Sequence, residues 1–143
     1  MTDAQRERRL QELNEEGNRL FDADRFAEAT AVYGEAVALL TPADADHAPP
    51  LYENLGLALL NRGRWRPAIR ALDRAVDQDP ARRAQALAFL VAALALEGLF
   101  DEARRRLAEY EGLHGPHPLG WTATELDRRQ AEQRRRLAHR RPG

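Results

Sequence analysis

Apolar residues return every three or four positions along most of the chain, and the rhythm breaks only at glycines, prolines and short polar runs. That spacing predicts helices with one buried face. They are expected near residues 4–22, 25–40, 49–62, 65–78, 82–97 and 101–112. A seventh begins after Thr122, where Thr122-Ala123-Thr124-Glu125 has the form of a capping box, and runs toward Arg140. Abundant alanine and leucine, only 6% aromatic residues and a single isoleucine, Ile69, favour helix over sheet. The expected fold class is all-α.

The pattern also repeats. Gly17, Gly56 and Val91 recur at spacings of 39 and 35 residues. Around them stand Leu13, Leu20, Phe26, Ala29, Tyr33 and Ala36 in a first unit, and Tyr52, Leu55, Leu59, Gly63, Trp65, Ala68, Leu72, Ala75 and Pro80 in a second. Leu87, Leu90, Leu94, Gly98, Phe100, Ala103 and Leu107 make a third. Small residues let two antiparallel helices approach, and Gly17 with Ala29 and Gly56 with Ala68 are placed to do so, with Leu20, Tyr33, Leu59 and Leu72 filling the space beside them. Gly63 and Gly98 can end the first helices of their hairpins in left-handed geometry, and Pro42, Pro80 and Pro116 stop the second helices.

As a joint pattern over roughly residues 10 to 117, this resembles the tetratricopeptide repeat (TPR) family, whose period is about 34 residues. The resemblance implies a right-handed α-solenoid of three helix-turn-helix hairpins with a C-terminal capping helix. It would be one domain over residues 1–143, with repeats near 10–43, 49–82 and 84–117 and the cap near 122–141. Two departures stand out. Ala43 to Ala48 is an extra segment, either a longer loop or an extended second helix, and Val91 and Tyr110 occupy positions where Gly or Ala is usual, which implies wider packing in the third repeat. An end repeat leaves an apolar face open. Trp121, Leu126 and Leu137 are the residues expected to cover it, with Tyr110 beneath Trp121.

Composition narrows the chemistry. The chain has no Cys, no Ser and no Lys, and all 22 basic side chains are Arg, as expected of a GC-rich bacterial genome. Thiolate sites, serine triads, Schiff-base lysines and P-loop lysines are thereby excluded. The charged start of the chain and the lack of a long apolar run lead to the expectation of a cytoplasmic protein. His114 and His117 lie in His-Gly-Pro-His, which reads as a polar turn rather than half of a metal site; His47 and His139 read as isolated surface residues. No residue constellation meets the requirements of an active site, so neither catalysis nor a cofactor is expected.

By position, the resemblance assigns a concave, peptide-binding groove to the first helix of each repeat. Its residues are Gln11, Asn14, Glu15, Asn18 and Asp22, then Glu53, Asn54, Leu57, Leu60 and Asn61, then Gln85, Ala88, Phe89, Ala92 and Leu96. Asn18 and Asn54 match asparagines with which relatives hold a peptide backbone, an amide being both donor and acceptor. Relatives that clamp acidic chaperone tails need cations where this chain has Asn14, Gln85 and Phe89, so such tails are not the expected ligand. The groove grades from acidic and amide-lined to apolar. The implied function is a non-catalytic protein-protein interaction module, an adaptor, scaffold or chaperone-like unit whose partner is another protein or peptide.

A second reading rests on charge. The molecule carries a net −1, yet residues 1 to 60 hold twelve acidic and five basic side chains while the last helix carries Arg128, Arg129, Arg134, Arg135, Arg136, Arg140 and Arg141. That helix could meet nucleic acid or another acidic surface. It lacks the interleaved aromatic residues that stack on bases, and nucleic acid is therefore the lesser expectation. Self-association through an uncovered end of the stack is left open by the sequence.

Overall fold

The computed structural model describes residues 1–77 and 79–140; Gln78, the expected end of the fourth helix, and Arg141 of the last helix lie outside the described residues. Its α-helices are α1 (Asp3–Asp22), α2 (Phe26–Ala38), α3 (Ala48–Asn61), α4 (Trp65–Val76), α5 (Ala84–Glu97), α6 (Phe100–His114) and α7 (Ala123–Arg140). Two 3-10 turns, Pro42–Asp44 and Pro80–Arg82, complete the regular structure, and no strand occurs among the described residues. The chain divides after Gln78 into two compact units, α1 to α4 and α5 to α7.

Three hairpin turns are built alike. Arg25 N–H donates to Leu20 O at 2.9 Å, Arg64 N–H to Leu59 O at 3.0 Å and Leu99 N–H to Leu94 O at 2.9 Å, each closing the end of one helix. The residue before each donor is left-handed: Asp24 at φ 59°, Gly63 at φ 71° and Gly98 at φ 85°. Glycine takes that conformation at little cost, and aspartate is among the few other residues that tolerate it. The backbone thus repeats even where the first hairpin has no glycine.

In the first unit α1 packs on α2 and α3 packs on both α2 and α4. Leu13, Ala29, Tyr33, Ala36, Leu51 and Ala58 form the buried centre, with Leu10, Leu20, Phe21 and Leu55 packed against it. The close approach runs through the glycines differently from the glycine-alanine pairing expected from sequence. A Cβ built on Gly17 would collide with the Tyr33 ring, and one on Gly56 would lie 2.6 Å from Leu72 Cγ. Tyr33 and Leu72 therefore sit over the bare glycine backbones, while Ala29 and Ala68 are fully buried beside them.

The extra segment is an ordered connection, not an extension of α2, which stops at Ala38. Asp44 accepts hydrogen bonds from Thr41 N–H at 2.8 Å and Thr41 Oγ1 at 3.1 Å, and pairs with the Arg6 guanidinium on α1. Both Asp44 and Arg6 are buried. The Thr41 amide, ahead of the Arg6 charge, holds the Asp44 carboxyl below its ordinary value.

In the second unit α5 packs on α6 and α6 on α7. Val91 and Tyr110 are both buried. The cap works otherwise than expected: Leu126 is fully buried, but Leu137 is 53% exposed. Tyr110 meets the rings of His114 and His117, at 5.1 Å and 5.2 Å, rather than Trp121, over which the Arg129 guanidinium sits at 4.6 Å. Arg104 of α6 binds Asp127 Oδ1 at 2.8 Å and also Gln130, tying α7 down along its first turns.

These contacts rank three substitutions. Gly56→Ala should destabilise the protein by about 1–3 kcal/mol through overpacking against Leu72. Leu126→Ala should cost about 2–5 kcal/mol by leaving a cavity. Leu137→Ala should stay within about 0.5 kcal/mol of wild type. Urea unfolding followed by circular dichroism measures all three.

Candidate functional site

The expected groove residues of the first unit lie on one stripe of α1 and one of α3. On α1 the spacing 11, 14, 15, 18, 22 keeps residues within one helical face. Asn54 Nδ2 of α3 donates to Asn14 Oδ1 of α1 at 3.0 Å, so the two stripes meet edge to edge. The Tyr33 hydroxyl donates to Asn18 Oδ1 at 2.6 Å. Burial and, after it, the Asp22 carboxylate push the Tyr33 hydroxyl up to about 12, so it stays a donor at neutral pH.

Two clefts flank the Asn14–Asn54 bond. One, about 280 Å³, joins Asn18, Phe21, Asp22, Tyr33, Asn54 and Leu57. The other, about 420 Å³, lies toward the start of α1, where Glu7, Leu10, Gln11 and Asn14 face Leu40, Asp44 and His47 of the connection and Pro50 and Leu51 of α3. The walls run in the same chain order along both helices, so α1 and α3 lie parallel.

The remaining expected residues divide by environment. Glu15 is exposed and accepts from Gln11 Nε2 at 3.2 Å, and Glu53 is half-buried. Leu60 packs against the small cluster of Leu59, Ala68 and Ala71. Asn61 Nδ2 turns back to Leu57 O at 2.8 Å. On α5, in the second unit, Gln85 and Leu96 are exposed and Phe89 is half-buried, whereas Ala88 and Ala92 are buried. Phe21, Tyr33, Glu7 and Leu10 were not anticipated at the clefts. Extending the α1 stripe by one turn finds Glu7 and Leu10, but Tyr33 reads as core because it is core, and only its hydrogen bond to Asn18 ties it to the cleft.

His117 is not part of an exposed polar turn. It is buried, its Nε2–H donates to Ala88 O at 2.8 Å, and Nδ1 accepts from Leu119 N–H at 3.1 Å. With both ring nitrogens engaged it has no lone pair to offer a metal. Among the described residues no group of three or more His, Asp or Glu side chains is placed to hold a metal ion. No helix among them is long and apolar enough to cross a membrane.

The last helix is dressed with ion pairs on its first turns. Glu125 accepts from Arg128 at 2.6 Å and Arg129 at 3.0 Å, and these bonds hold its carboxyl down to about 2. Arg136 pairs with Glu132 at 2.7 Å. Arg134, Arg135 and Arg140 are exposed.

This geometry recurs in solved proteins. The C-terminal TPR-containing domain of an FK506-binding protein from Plasmodium falciparum matches with a TM-score of 0.74 at 19% identity, over 97% of this chain and 95% of that one. The fold is a tetratricopeptide-repeat fold. The myosin chaperone UNC-45 from C. elegans, solved with an Hsp90 peptide, matches with a TM-score of 0.71 at 26% identity, over 88% of this chain and 14% of that one. By sequence, mouse Sperm-associated antigen 1 is 39% identical over 71 residues, which is 48% of this chain. The chain spans 8% of that relative's length. No family model matches the chain.

His117 makes stability depend on pH. Burial, against the opposing pull of Ala88 O and Glu111, holds its pKa below the ordinary 6.5; the Tyr110 ring also faces it. The folded protein binds fewer protons there than the unfolded chain, so this stability is full above about pH 6.5 and is lost as the pH falls through the lowered value. Wild type should lose more stability than His117→Phe between pH 7.5 and pH 5.5 in paired urea titrations.

Proposed function

We propose that the protein is a non-catalytic protein-interaction module, working as one domain, that takes an extended segment of a partner protein against the α1–α3 face. The observation that carries this reading is the amide arrangement. The Asn14–Asn54 bond occupies Asn54 Nδ2 and leaves its Oδ1 as an acceptor, and Tyr33 occupies Asn18 Oδ1 and leaves its Nδ2 as a donor. A donor and an acceptor bordering one cleft match the C=O and N–H of a passing peptide unit. The Hsp90 peptide bound to UNC-45 supports a peptide ligand in kind. The chaperone tail itself is disfavoured here, because Asn14, Gln85 and Phe89 supply none of the cations that would pair a terminal carboxylate.

Asn54→Ala and Leu57→Asp should each weaken capture of the native partner from the source cell by roughly fivefold or more while leaving the melting temperature within a few degrees, since truncating a ligand hydrogen bond or placing a charge in an apolar wall costs on the order of 1 kcal/mol or more. Replacing Arg134, Arg135 and Arg136 together with Gln should leave capture intact. Capture lost in the arginine variant and kept in the other two would move the binding surface to α7.

A further inference from the structure

The two clefts differ in chemistry, and their difference specifies a ligand. The smaller one sets the apolar side chains of Phe21 and Leu57 beside the amides of Asn18 and Asn54, with Asp22 also in its lining. Asp22 is exposed and has no ion pair among the described residues. An arginine or lysine side chain fits such a place by laying its aliphatic stem along the apolar wall and its head on the carboxylate. The larger cleft is walled by Leu10, Leu40, Pro50 and Leu51, with Glu7 at its rim. Its buried carboxylate, Asp44, is already committed to Arg6 and Thr41, which leaves the interior to an apolar side chain. No arginine is among the described residues that line either cleft.

We infer that the α1–α3 face is selective for an extended segment carrying a large apolar side chain and a cationic side chain four residues apart. This deepens the proposed function and rests on it. The spacing follows from the helix. Along α1 the lining of the two clefts, Glu7 to Asn14 and Asn18 to Asp22, is offset by about nine residues, roughly 14 Å at a rise of 1.5 Å per residue. An extended chain covers that distance in about four residues at roughly 3.3 Å each, and residues i and i+4 of such a chain point to the same side. The Asn14–Asn54 bond lies between the clefts, beneath the intervening peptide units. Charge agrees: residues 1 to 60 carry twelve acidic against five basic side chains, and Arg6 among the five is buried in its ion pair.

The test uses the full chain and short peptides blocked at both ends, with Leu and Arg four residues apart in either order and Gly or Ser elsewhere, beside counterparts in which Glu replaces Arg. Binding is read by calorimetry, and the site by amide shifts in nitrogen-15 spectra. The expected result is a Leu–Arg peptide bound at least about tenfold tighter than its Glu counterpart, with shifts centred on Asn18, Asp22, Asn54 and Leu57. Asp22→Arg should abolish or reverse the preference. It should fold normally, because an exposed cation in the last turn of a helix is favourable where an anion is not. Glu peptides bound as tightly as Arg peptides, with shifts on the same residues, would overturn the charge selectivity and leave the groove standing. Shifts located outside α1 and α3, or no binding by any peptide, would overturn both.

Discussion

The candidate face of the first unit depends on one contact, the Tyr33 ring packed against the bare backbone of Gly17. Because Gly17 has no side chain, the ring can lie on α1 itself, and the α1–α2 hairpin closes at that distance. The same contact delivers the phenolic oxygen to Asn18, the next residue along α1, where it sets which amide atom faces outward. Core packing and surface chemistry are thus joined in one side chain. In the second hairpin Leu72 takes the place over Gly56 and supplies packing alone, with no hydroxyl to offer.

Repetition in the backbone is stricter than repetition in the sequence. The three hairpin turns share a hydrogen bond and a left-handed residue although that residue is Asp24 in one and glycine in two. Where the repeat is interrupted, between α2 and α3, the inserted segment is held by Asp44 bonded to Thr41 and Arg6. A buried ion pair adds little net stability, because desolvating both charges offsets their attraction. Its effect here is positional: it anchors the connection to the first turn of α1 and so forms one wall of the larger cleft.

The second unit shows how little of a long polar helix needs to be buried to hold it. Leu126 is the buried residue of α7, and Arg104 reaches Asp127 and Gln130 beside it. Beyond Gln133 the helix is exposed on all sides, and its arginines stay in water or pair with carboxylates on the same helix, as Arg136 does with Glu132. His117 fastens the link between α6 and α7 back to α5 through Ala88.

The periodicity of Leu, Ala and Gly by itself determined the helices, their hairpin turns and the family likeness, because helix formation and close packing depend on local spacing and residue size. The α1 and α3 stripes came with the family likeness, which assigns a groove to the first helix of each repeat. Tertiary structure alone decided the rest. That Asn14 and Asn54 bond to each other, forty residues apart, depends on how α1 and α3 are set side by side. That Asp44 and His117 are buried, while Leu137 is not, depends on which partners the fold brings within reach of each polar atom. A sequence states what each side chain can do, but desolvation and partner geometry exist only once distant segments have met.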